Sequence, residues 1–91
     1  MYELWIHDTE DGADCNSLYV YRIIQPLLAQ QKITVEKPIR DFRGEFLPIT
    51  TESWTDAGLI PRVAKALEST KVRPQHWKLR KMLSVSEMLP L

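Results

Sequence analysis

The chain holds one cysteine, Cys15, among its 91 residues, so it can close no internal disulfide. A small disulfide-stapled scaffold is excluded, and a reducing, cytoplasmic compartment is the expectation. Long apolar runs are missing too. No stretch approaches the roughly eighteen apolar residues of a membrane span. Glu3, Asp8 and Glu10 stand where a secretory leader would carry its basic region and apolar core, so neither a membrane nor a signal peptide is expected. There is no internal repeat, no low-complexity segment and no net charge, 12 Lys and Arg balancing 12 Asp and Glu. Ser–His–Asp, P-loop and dinucleotide fingerprints are absent. His7, Cys15 and His76 are too scattered for a zinc site, and neither histidine has a legible partner for proton transfer. No cofactor or metal is implied, and the balance leans away from an enzyme.

What remains is an ordinary globular composition, 44% apolar and 26% charged, sized for one domain over 1–91. YELWI at 2–6 alternates and reads as a strand. HDTEDGAD at 7–14 is an acidic loop turned by Gly12. From Leu18 to Leu28, apolar residues recur at Leu18, Tyr21, Ile24 and Leu28, with Val20, Ile23 and Leu27 widening the stripe, which predicts a helix buried on most of its circumference. Asp14 or Asn16 caps it, and Pro26 kinks it. The alternative is a strand over Leu18–Ile24 with a short helix starting at Pro26. Ile33–Ile39 reads as a second strand, which Pro38 places at an edge or bulge. Asp41–Thr51 reads as a loop turning at Gly44, with Phe42, Phe46 and Leu47 capping the core. Ser53 or Thr55 caps a short helix reaching Gly58. Leu59–Val72 fits both a helix, by its Ile60, Val63, Ala64 and Leu67 spacing and its Ala and Lys content, and a strand. Pro74 stands at the first position of a last helix burying Trp77, Leu79, Met82 and Leu83.

Charge is uneven along the chain. Residues 1–55 hold five Lys and Arg against nine Asp and Glu, and residues 56–91 hold seven against three. Such a dipole favours oriented association with a charged partner. These residues offer three chemistries. Cys15 at a helix start is favoured as thiolate, but Asp11 and Asp14 beside it oppose that, and an inert, half-buried thiol is the plainer reading. His7, Asp8, Glu10, Asp11 and Asp14 offer oxygen ligands, yet Tyr19 stands where a calcium loop needs glutamate, leaving a solvated acidic loop. Lys71, Arg73, Lys78, Arg80 and Lys81, interleaved with His76 and Trp77, form a basic stretch able to hold a nucleic-acid strand or to present a solvated face.

Strand, acidic loop, kinked helix and strand together resemble the opening of the thioredoxin-like fold. RIIQPLLAQQKITV at 22–35 is similar to that family's first long helix, with its kinking proline, and the strand behind it. GLIPRV at 58–63 resembles the segment holding the family's cis-proline, and PRVAKAL is similar to part of its KaiB branch. The resemblance implies an α/β fold, a small thioredoxin-like sheet flanked by helices with a kinked first helix. It also implies a strand at Arg62–Leu67, a turn at Glu68–Lys71 and a last strand starting at Val72. The family's CxxC is absent, which puts dithiol exchange in doubt; a monothiol, glutaredoxin-like use of Cys15 is the surviving enzyme alternative. The leading expectation is a redox-inactive, protein-binding module. Its surface would comprise Asp11, Asp14, Cys15, Ile60 and Pro61, with Tyr19 and Trp54 as anchors. The nucleic-acid alternative would use Arg73, Trp77, Lys78, Arg80 and Lys81.

Overall fold

The structure, a computed structural model, describes residues 1–7 and 16–82. In chain order they form β1 (Tyr2–Ile6), α1 (Ser17–Ala29), β2 (Ile33–Val35), β3 (Ile39–Asp41), β4 (Gly44–Thr51), α2 (Asp56–Leu67) and β5 (Trp77–Lys81). The sheet order is β2-β4-β1-β5, with β3 also on β4, and every pairing is antiparallel. Because β1 and β2 both run against β4, they are parallel with β4 between them. By the same reasoning β4 and β5 are parallel around β1. Each helix therefore crosses one intervening strand, the split β-α-β arrangement. The expected α/β class is what the chain forms.

Both helices cover one face of the sheet. Asn16 caps α1, its side chain accepting the Tyr19 N–H at 2.8 Å, and Val20, Ile24 and Leu28 are buried one turn apart. That period makes 18–24 helix rather than strand. Pro26 sits inside α1 on its exposed side, where its missing N–H leaves the Arg22 carbonyl without a helical partner. Thr55 caps α2, which buries Leu59, Val63, Ala66 and Leu67. The helical reading of 59–67 thus holds, and the strand implied at Arg62–Leu67 is overturned. Four apolar residues at helical spacing bury a continuous stripe that a strand would split between its two faces. Pro61 lies within α2 rather than before a strand, and no peptide bond among the described residues is cis. Of the two segments carrying the thioredoxin-like resemblance, 22–35 is helix then strand as implied, and 58–63 is not.

Segment 41–51 is likewise no loop. Leu47 and Ile49 point to the helices and Phe46 and Pro48 to the opposite face, so β4 alternates through the middle of the sheet. Proline in a central strand removes a ladder donor, and here a bulge accommodates it. Val35 pairs Ile49 and Ile39 pairs Phe46, so three residues (36–38) face two (47–48). β2 and β3 are therefore halves of one strand broken by a bulge. Glu3 turns its backbone groups to β5, so Pro48 directs its donor-less nitrogen away from β1 and at that bulge, where the Glu36 N–H bonds the Pro48 carbonyl at 3.0 Å.

The expected last helix shrinks to one 3-10 turn, Pro74–His76, and β5 follows it. Trp77 and Leu79 pair with Ile6 and Leu4, so WKLRK alternates apolar toward the helices and basic away from them. Leu83 lies outside the described residues. Leu4, Ile24, Leu28, Ile33, Leu47, Ile49, Leu59 and Val63 have no exposed surface, each worth about 1.5–3 kcal/mol of transfer free energy. No described helix is long and apolar enough to cross a membrane.

Candidate functional site

The sheet face turned away from the helices carries Glu3 and Trp5 from β1, Phe46 and Pro48 from β4, and Lys78 and Arg80 from β5. The β3–β4 hairpin rises beside it. Asp41 pairs Gly44, leaving Phe42 and Arg43 as a two-residue loop. Asp41 sets that loop by accepting the Arg43 N–H at 2.8 Å through Oδ1, a local turn that aspartate forms readily. Gly44 has φ +130°, and a Cβ there would stand 3.2 Å from Cζ3 of Trp5. The conformation calls for glycine, and the approach leaves little room for a side chain unless Trp5 shifts.

Arg43 ties this hairpin to β1, 40 residues away in sequence. Its Nη1 and Nη2 donate to the two oxygens of Glu3 at 3.0 and 2.7 Å. Nε and Nη2 donate to Asp41 Oδ2 at 3.1 and 2.7 Å. Trp5 Nε1 adds a bond to Glu3 Oε1 at 3.2 Å. The guanidinium lies 5.5 Å from the Trp5 ring centre and 5.2 Å from that of Phe46, and the two rings are 4.9 Å apart. Glu3 is only 1% exposed, so its charge is tolerable because a fork of donors meets both oxygens. The Arg43 side-chain bond holds the Asp41 carboxyl below its ordinary range, and bonds to Glu3 and then Asp41 raise the Arg43 pKa. Asp41 and Arg43 are thus each held further in their charged forms. The cluster is a brace. What it presents is Phe42, 98% exposed at the tip, with Ile39 half out of the surface nearby.

A second cluster fixes the other end of β1. The Tyr2 hydroxyl donates to Asp56 Oδ1, and Lys81 Nζ lies 3.5 Å from Oδ2 of the same carboxylate. The Asp56 bond, then burial, push the Tyr2 hydroxyl up to about 12. Asp56 is held low by the Tyr2 bond and by the Lys81 charge. This joins the start of α2 to β1 and β5.

The residues singled out from sequence scatter. Asp11, Asp14 and Cys15 lie outside the described residues, as does loop 8–14. Trp54 is no free anchor: Nε1 donates to the Gln31 carbonyl at 2.9 Å, and Arg62 stacks on the ring at 3.4 Å. Tyr19 is half-buried against the core, at the opposite end of α1 from Gln31. Ile60 and Pro61 are exposed on α2. Trp54 is 36% exposed while bonded to Gln31 and stacked by Arg62, and Tyr19 is half-buried near the other end of α1. Of the basic set, Lys78 and Arg80 face away from the helices, Trp77 and Lys81 face toward them, and Arg73 precedes the 3-10 turn. The basic set is thus divided between the two faces of β5. Among the described residues no three His, Cys, Asp or Glu converge as metal ligands. Phe42, expected with Phe46 and Leu47 to cap the core, instead stands in water because it falls in the two-residue hairpin loop; the cluster of Glu3, Trp5 and Arg43 had one local signal, Asp41 two residues before Arg43 with Gly44 next. Comparison with protein-family models, curated proteins and solved structures gives no match.

Proposed function

We propose that this chain is a protein-binding module whose anchor is Phe42. The observation carrying the reading is a phenylalanine left almost wholly in water at the tip of a hairpin that is cross-braced rather than loose. A large rigid side chain held in place loses little entropy on docking and buries much apolar area, which is what interface anchors do. Lone exposed apolar residues are common; the support here is the bracing, which commits a buried carboxylate, an arginine and a positive-φ glycine to fixing one tip. The monothiol alternative rests on Cys15, outside the described residues, and gains nothing. The basic stretch divides between two faces, which takes support from the nucleic-acid alternative.

The test is photo-crosslinking from benzoylphenylalanine at position 42 in an extract of the source cells. One adduct of defined mass is expected, suppressed by excess unlabelled wild-type chain and not by F42A. Equal suppression by F42A, or no adduct, overturns the reading.

A further inference from the structure

We propose that the outer edge of β5 accepts an extended segment of a partner protein in which acidic and apolar residues alternate. This goes beyond the hairpin reading and does not depend on Phe42. β5 is the last strand in the order and pairs only β1 among the described residues. The ladder phase is fixed at both ends, His7 N–H donating to the His76 carbonyl at 2.7 Å and Met82 N–H to the Met1 carbonyl at 2.9 Å. Antiparallel pairs alternate, so Lys78 and Arg80 turn their backbone groups to β1, and Trp77, Leu79 and Lys81 aim N–H and C=O outward. An added strand would meet those groups.

Side chains state what that strand must be. On one face of the edge stand Lys78 and Arg80, both exposed. On the other, Trp77 borders a cavity of about 400 Å³ lined by Ala64, Leu67 and Val72, with Lys71 and Arg73 around it. A second copy pairing antiparallel would set like charges against one another, which destabilises a sheet. A strand with carboxylates toward Lys78 and Arg80 and apolar residues toward Trp77 and Leu79 satisfies both faces. The lysines and arginine thus block self-pairing and select the partner by one property.

The probe is a short capped peptide alternating Glu and Val, titrated into the isotope-labelled full chain. Amide exchange at Trp77, Leu79 and Lys81 should slow, while Lys78 and Arg80, already bonded to β1, change little. K78E/R80E should weaken binding by about tenfold or more, and F42A should leave it unchanged. The exchange pattern needs no variant, so a poorly folding mutant leaves the test intact. Absence of binding, binding without protection at those three amides, or equal binding of a Lys–Val peptide overturns the proposal. So does a short oligouridylate that competes for the same face when the peptide does not bind.

Discussion

Removing the Arg43 side chain tests whether the brace is what holds the hairpin. R43A leaves the Glu3 carboxylate, 1% exposed in the intact protein, with only the 3.2 Å bond from Trp5 Nε1. Stranding one member of a buried pair typically costs about 3–5 kcal/mol. Water can follow the arginine out, because about a third of its side chain is already exposed, so about 2–3 kcal/mol is the working figure. A domain of this size has about 5–14 kcal/mol in total, and the loss corresponds to a fall in Tm of roughly 10–20 °C. Urea unfolding followed by tryptophan fluorescence measures it, with Trp5 reporting locally. The decisive variant is E3Q/R43A. Without the charge, most of the penalty should vanish, and the double variant should be more stable than R43A alone. If R43A costs under about 1 kcal/mol, or if adding E3Q does not recover stability, Glu3 and Arg43 are not the coupled unit described here.

Tyr2 should titrate with a midpoint of about 12 in ultraviolet absorbance, a component that Y2F removes and D56N shifts back toward 10. Because the folded value lies above the unfolded one near 10, stability is full below that pH and declines as it rises from 10 to 12. Asp56 and Asp41 act at the other end: their contribution is present above the ordinary aspartate value near 4 and is lost as the pH falls through the lower folded values, seen as an acid limb that D41N/D56N flattens. Gly44→Ala should cost about 1–3 kcal/mol and alter Trp5 emission; an unchanged urea midpoint would contradict the close approach. Asn16→Ala should cost about 1 kcal/mol through loss of the α1 cap, read by thermal melting.

How far the sequence discloses this fold depends on whether local signals compete. α1 was legible as a helix because cap and period agree, but its burial is narrower than expected: Leu18 and Leu27 are exposed, and Val20, Ile24 and Leu28 carry the buried stripe. β1 was legible because YELWI alternates and nothing else fits it. Between Leu59 and Leu67 two periods coexist, and the deciding fact is tertiary: the space over β1 and β5 takes a helix, which buries Leu59, Val63, Ala66 and Leu67 together. At 74–82 proline at a helix start was a true signal for one turn only. Beyond that turn the edge of β1 takes Trp77 and Leu79, whose spacing of two suits a strand rather than a helix.

The deepest misreading fell on 41–51, and its cause is also the strongest reason to look there for function. Pro48 in a central strand, Gly44 at positive φ and Phe42 in water each break a local rule, as does the buried Glu3 carboxylate that the hairpin covers from β1. Read singly, Gly44 and Pro48 argue for an irregular loop, because a strand interior disfavours both. Three of the four are offset nearby: the bulge at 36–38 faces Pro48, Trp5 fills the space over Gly44, and Arg43 neutralises Glu3. Phe42 alone has no offset within the described residues. Rule-breaking that the fold compensates is structure, and the uncompensated remainder is where function is expected; on this hairpin that remainder is one side chain, aimed outward from a brace built around it.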